Sequence, residues 1–319
     1  MSFLRVENLS KTYQLRKAFG GRSKEQVHAV DNVSFEVQKG ETLGIVGESG
    51  CGKSTLGRTI VRLEEPTSGR IFFDEEELTS KSQSQLRVVR KKIQMIFQDP
   101  YASLNPRRPI GKIVEEPMRV HGISGEERRE NALSLLAKVG LDKDAYEKYP
   151  HQFSGGQRQR VVIARALSLN PSLVVADEPV SALDVSIQAQ VLNLFKDLQQ
   201  ELGLTYLFIA HDLGVVRHVS DRIAVMYLGK IVEMADAQSL YLQPAHPYTK
   251  ALLSANPRMD SADTQERIVL KGDIPNPINR PTGCSFHPRC PLAQEKCRSE
   301  EPQLLQISSG AQVACHFAS

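Results

Sequence analysis

Eight consecutive residues, Gly47-Glu48-Ser49-Gly50-Cys51-Gly52-Lys53-Ser54, constrain this chain more than any other stretch. Ahead of them, residues 43–46 form a short apolar run. Behind them, Leu56, Ile60 and Leu63 recur at helical spacing. The local pattern is strand, glycine loop, helix. The glycines let backbone N–H groups turn inward around an anion, and the helix starting near Lys53 adds the positive end of its dipole. The spacing GxxxxGK(S/T) assigns Lys53 to the β- and γ-phosphates of a nucleotide and the Ser54 hydroxyl to Mg2+. Cys51 is expected to pack beside the loop rather than to react. The bland alternative is a glycine-rich turn with no ligand, and the strand-then-helix context argues against it.

Further apolar runs at residues 173–176, 206–210 and 223–227 read as strands, and residues 186–202 carry a helical stripe of Ile187, Val191, Leu194, Phe195 and Leu198. Buried strands alternating with amphipathic helices predict a parallel sheet covered on both faces. Residues 106–140 change to a mostly helical pattern, clearest over 126–139, as expected of a helical insertion. Beyond residues 248–253 the chain becomes proline-rich (Pro257, Pro275, Pro277, Pro281) and then cysteine-rich, with 272–283 reading as an extended linker. The basic, glycine-containing segment 16–24 reads as a solvated loop.

With 319 residues, and about 150 per domain as a prior, about two folding units are expected. A net charge of +3 does not announce a nucleic-acid binder, so none is expected as a partner. No apolar run reaches the ~18–20 residues needed to span a bilayer, and the N-terminal stretch lacks the apolar core of a signal peptide. Membrane work would therefore need partner subunits.

Two more segments fit a nucleotide site. The apolar run at 173–176 delivers Asp177 to a strand's carboxyl end, where its carboxylate can hold Mg2+, and Glu178 follows, placed to polarise an attacking water. Ser154 is a natural helix cap. Gly155 and Gly156 let backbone amides approach an anion, and Val161, Val162, Ala164 and Leu167 continue the helix. One phosphate loop has no need of a second anion-binding helix start, so the economical role of this one is to serve the nucleotide of another subunit.

In order along the chain come the phosphate loop, Gln98 after Met95-Ile96-Phe97, Ser154-Gly155-Gly156-Gln157, Asp177-Glu178, Ser181-Ala182-Leu183-Asp184 and His211. This succession resembles the nucleotide-binding domain of an ATP-binding cassette (ABC) transporter over about residues 1–255. The resemblance implies an α/β P-loop NTPase: a RecA-like core with an antiparallel β subdomain and a helical subdomain at about 106–160, followed by a small cysteine-rich module at 256–319. It implies that ATP and Mg2+ are bound by residues 47–54 with Thr55, and that Tyr13 stacks on adenine. Ser54, Gln98 and Asp177 attend Mg2+, and Glu178, Gln98 and His211 are catalytic. By the same resemblance Ser154, Gly155, Gly156 and Gln157 close on ATP held by the opposing domain, and Asp184 links the two sites.

Residues 97–106, 177–186 and His246-Pro247-Tyr248-Thr249-Lys250-Ala251-Leu252-Leu253 resemble the dipeptide/oligopeptide permease branch, nearest to its F-type ATPase. That implies a second homologous ATP-binding subunit forming a heterodimer and two membrane-spanning permease subunits. It also implies an extracytoplasmic peptide-binding protein and a peripheral place on the cytoplasmic face of the inner membrane. Sister importers of nickel, glutathione or other peptides use similar ATPases. Soluble ABC ATPases of DNA repair or translation are the remote alternative, since they usually carry long coiled coils, zinc insertions or two cassettes.

Cys284, Cys290, Cys297 and Cys315 are separated by five, six and seventeen residues. These spacings match neither common zinc modules nor the usual ferredoxin run, so Zn2+, an iron–sulfur cluster and free thiols all stay open on chemistry alone. Similarity to peptide-importer ATPases with a 4Fe-4S cluster in such a tail tips the expectation toward iron–sulfur. His287 and His316 are near enough in sequence to replace a thiolate, but are expected at the surface.

Overall fold

The structure, a computed structural model, describes residues 2–16, 22–255 and 268–318. The chain divides into two compact units. Met1–Gln38, Thr42–Ser80 and Ala210–Ser319 make one, and Lys39–Glu41 with Lys81–Ile209 make the other.

In the first unit, strands Leu4–Arg16, Arg22–Val37, Ser68–Phe73 and Glu76–Glu77 form an antiparallel sheet. Alternation sets its buried face: Leu4 and Val6, Val33, Phe35 and Val37, and Ile71 and Phe73 all point inward. Phe3 closes edge-on against Phe73 at 4.9 Å. The reading of 16–24 as a loop is overturned for Arg16 and for residues 22–24, because Arg16 pairs with Arg22 across the two long strands. Residues 17–21 lie outside the described residues. Charge favours solvent exposure there, but cross-strand pairing of the long hairpin decides the backbone.

The same unit holds the strand Thr42–Val46, which runs parallel to Arg222–Tyr227, with Leu43 opposite Arg222 and Val46 opposite Val225. All five residues of Thr42–Val46 are buried, which is why the run is apolar without alternation. A tight turn at Leu228 and Gly229, both at positive φ, returns the chain as Lys230–Asp236, antiparallel to Arg222–Tyr227. The short strand Gln312–Val313 then pairs with Lys230–Asp236, placing Val313 opposite Glu233. The helix expected after the phosphate loop spans Lys53–Ile60 and stops short of Leu63, because Arg62 turns to φ 55°. Residues 272–283 carry neither helix nor strand, as expected of a linker, while Pro257 lies outside the described residues.

In the second unit, Ile93–Ile96, Leu173–Asp177 and Thr205–Ala210 run parallel, with Ile93 opposite Leu173 and Leu173 opposite Thr205. Helix Val185–Leu202 buries Val191, Leu194, Phe195 and Leu198 and ends where Gly203 adopts the left-handed conformation. The expected helical stretch contains Ile110–Val120 and Gly125–Lys138, followed by Gly155–Leu167.

Candidate nucleotide site

The phosphate loop joins Thr42–Val46 to Lys53–Ile60 through a path only glycine permits at two points. A Cβ on Gly52, which sits at φ 105°, would lie 1.9 Å from the Ala29 carbonyl oxygen. One on Gly47 would lie 2.1 Å from that of Met226. Lys53 is 4% exposed, and its Nζ donates to the carbonyls of Gly47 (2.7 Å) and Glu48 (3.1 Å). Cys51 is buried beside it, its thiol pushed up by burial, in keeping with a packing role. Ser54 is half-buried in the helix's first turn.

Tyr13 is half-buried with the Lys11 ammonium 4.9 Å from its ring centroid, and its hydroxyl donates to Glu64. Burial, together with that carboxylate, raises its pKa to about 12. His211 is exposed, following Thr205–Ala210, and the next residue, Asp212, caps Leu213–Val219 by accepting from the Gly214 N–H at 2.6 Å.

In the second unit, Asp177 ends its strand 1% exposed. Glu178 then breaks out of the extended conformation at φ 47°, held there as its N–H donates to the Ile209 carbonyl at 2.9 Å. Gln98 Nε2 donates to Glu178 Oε2 at 2.9 Å, so two of the three expected catalytic residues meet directly. Ser154 caps Gly155–Leu167 reciprocally. Its hydroxyl accepts from the Gln157 N–H (3.3 Å), and its own N–H donates to Gln157 Oε1 (3.0 Å). Gly155 and Gly156 form the first turn of that helix. Asp184 is exposed at the start of Val185–Leu202 and makes no side-chain cap there.

The four C-terminal cysteines line one cavity of about 270 Å3 with Phe286 and His287. Burial, and after it the neighbouring thiols Cys297, Cys315 and Cys290, push the Cys284 thiol up to about 11. Among the described residues, however, no three His, Cys, Asp or Glu side chains stand in a group able to hold a metal ion. The donor chemistry suits a soft metal, but the side chains do not converge on a single ion. No metal chemistry is therefore derived from this tail.

Sequence reasoning missed the partners of Glu48. Its carboxylate accepts both Nη groups of Arg289, at 2.7 and 3.1 Å, and its N–H donates to the Tyr248 hydroxyl at 2.9 Å. The run His246-Pro247-Tyr248 was a signal, but nothing local in the sequence points from it to the phosphate loop.

The loop, the capped helix and the Asp-Glu strand end together define an ABC-type ATPase, and the comparisons agree. The ABC transporter family matches residues 30–181, and the oligopeptide/dipeptide transporter C-terminal region matches residues 232–297. The chain is similar to the oligopeptide transport ATP-binding protein AppF of Bacillus subtilis, with 54% identity covering 100% of this chain and 98% of that one. It is also similar to the dipeptide transport ATP-binding protein DppF of Haemophilus influenzae, with 53% identity covering 98% and 95%. Among solved structures, the dimeric post-hydrolysis state of the ATP-binding cassette MJ0796 bound to ADP and Pi superposes with TM-score 0.65. It shares 34% identity and covers 73% of this chain and 98% of that one. This chain belongs to the oligopeptide and dipeptide transport ATP-binding proteins of the ABC transporter family.

Proposed function

We propose that this chain is the ATP-hydrolysing subunit of an importer for dipeptides or oligopeptides. Its partners in this reading are a second, homologous ATP-binding subunit, two membrane-spanning permease subunits and an extracytoplasmic peptide-binding protein. It would work peripherally on the cytoplasmic face of the inner membrane. Support comes from relatives named for oligopeptide and dipeptide transport that align along essentially the whole chain. No helix among the described residues is long and apolar enough to cross a membrane, so the channel falls to the partners.

The observation that carries the catalytic part is the 2.9 Å hydrogen bond from Gln98 to Glu178. In this reading the phosphate loop and the Lys53 ammonium bind the ATP phosphates, and Tyr13 takes the adenine. Ser54, Gln98 and Asp177 would hold Mg2+, whose charge offsets that of the β- and γ-phosphates; a hydroxyl, an amide oxygen and a carboxylate are the hard oxygen donors it prefers. Glu178 polarises the attacking water, the Gln98 amide keeps one carboxylate oxygen oriented, and His211 contacts the γ-phosphate. Ser154, Gly155, Gly156 and Gln157 complete the site of the partner ATPase, and Asp184 connects the two. Closing that pair on ATP and reopening it after hydrolysis drives the permease.

Glu178→Gln keeps an oxygen that accepts from Gln98 but removes the base. The variant is expected to bind ATP as wild type does while turnover falls roughly 10²–10⁴-fold. Normal turnover would remove Glu178 from the mechanism. Peptide-stimulated ATPase activity after copurification with permease subunits tests the transport part, and its absence with intact basal activity would refute peptide import.

The same reading assigns a 4Fe-4S cluster, or else Zn2+, to Cys284, Cys290, Cys297 and Cys315. In its favour is the cavity they share, while among the described residues no three of the side chains converge on a single metal ion. Iron and zinc analysis with a visible spectrum of anaerobically purified protein decides between cluster, zinc and free thiols.

A further inference from the structure

A phosphate loop binds well only if its amides already hold the arrangement that the phosphates need, because ordering it during binding subtracts from affinity. Three contacts on this loop come from later in its own unit. The Gly229 N–H donates to the Cys51 carbonyl at 2.8 Å. The other two meet at Glu48: Tyr248 takes its N–H, and Arg289 takes its carboxylate through both Nη groups. Arg289 and Glu48 have side chains only 8% and 25% exposed, so this is a planar, two-bonded ion pair largely shielded from water rather than a loose surface contact.

Both partners are themselves anchored. Phe286, three residues before Arg289, packs against Tyr227 (5.2 Å) and Tyr248 (5.4 Å), which meet each other at 4.7 Å. Tyr248 lies in the first turn of helix Pro247–Ala255, and the residues ahead of that helix are tied down by buried Glu233. That carboxylate accepts from the Ala245 N–H (2.8 Å) and the His246 N–H (2.9 Å).

We propose that Arg289 and Tyr248 are positioning residues for the phosphate loop: by fixing Glu48 they preorganise the loop for a nucleoside triphosphate, making the C-terminal region a working part of the nucleotide site. This deepens the ATPase reading above and rests on it. Neither side chain is assigned to touch the nucleotide, so their removal should act on affinity and spare the chemical step.

The test uses the full chain with MgATP, measuring equilibrium affinity, KM and kcat. Arg289→Ala is expected to weaken ATP binding about tenfold, the usual worth of a shielded, charge-assisted pair, with kcat within about twofold. Arg289→Lys keeps the charge without the fork and should fall between wild type and Arg289→Ala. Tyr248→Phe should weaken binding about threefold. Glu48→Gln combined with Arg289→Ala should be no worse than the weaker-binding single variant, since the two share one interaction. Unchanged affinity in Arg289→Ala, losses that multiply in the double variant, or a fall in kcat alone overturns the proposal. Should Arg289→Ala fail to fold by circular dichroism, Arg289→Lys and Tyr248→Phe carry the same comparison. Equilibrium titration reads the brace even in a wild-type chain that does not hydrolyse ATP, so failure of the ATPase reading and failure of the brace give different results.

Discussion

Replacing His246 with Gln should flatten the acid dependence of this protein's stability. The imidazole is 1% exposed, its Nδ1 accepts from the Tyr248 N–H at 3.1 Å, and it hydrogen-bonds the backbone of Ala314. Burial drives its pKa from 6.5 down to about 3, the Ala314 contact opposing the shift. The sign follows directly. Above pH 6.5 neither the folded nor the unfolded chain protonates this ring, and its contribution is intact. Below 6.5 the unfolded chain takes up a proton that the folded chain refuses until about pH 3, so stability falls as pH falls across that window. Each pH unit is worth about 1.4 kcal/mol, so at pH 5 the loss from this one ring is about 2 kcal/mol. Glutamine keeps an acceptor for Tyr248 and a donor for Ala314 but does not titrate. Buried Glu233, whose pKa burial raises, contributes the opposite sign in both proteins and cancels in the comparison. The assay is urea unfolding by far-UV circular dichroism at pH 7 and pH 5, because the chain has no tryptophan. Wild type should lose about 2 kcal/mol more than His246→Gln between the two. Equal losses would show that the ring is protonated in the folded chain and refute the argument.

Gly52→Ala, forced to φ 105° with its Cβ against the Ala29 carbonyl, should lower MgATP affinity by roughly tenfold or more in equilibrium titration, since even 1–3 kcal/mol of strain falls on the loop itself. Phe195→Ala should cost about 3–5 kcal/mol in urea unfolding. Phe195 is 1% exposed and edge-on to both Tyr206 (5.4 Å) and Phe208 (5.5 Å), so its removal leaves a cavity those rings cannot fill.

Local physics made much of this legible in advance. The runs at 173–176 and 206–210 are strands because they are buried on both faces, and burial on both faces is what an unbroken apolar run encodes. Gly47 and Gly52 announced a turn in the sequence, but the carbonyls of Met226 and Ala29 that leave no room for a side chain there come from distant strands and were not legible. Resemblance marked Gln98 and Glu178 each as catalytic, but their hydrogen bond to one another was not legible, because no local signal couples residues 80 apart. Arg22 was misread as part of a loop, since its charge is visible in the sequence whereas its pairing with Arg16 depends on the whole hairpin. Arg289 was invisible for the same reason in stronger form: an arginine beside Cys290 looks like tail chemistry until the fold brings it to Glu48.

The separation of 241 positions from Glu48 to Arg289 sets a schedule for synthesis. At about 5–20 residues per second, a ribosome makes the phosphate loop roughly ten to fifty seconds before it makes the arginine that steadies it. Through that interval the nascent polypeptide carries its nucleotide cradle without its clamp. A chain that aborts ahead of Arg289 would compete poorly for cellular ATP, leaving tight grip to finished copies.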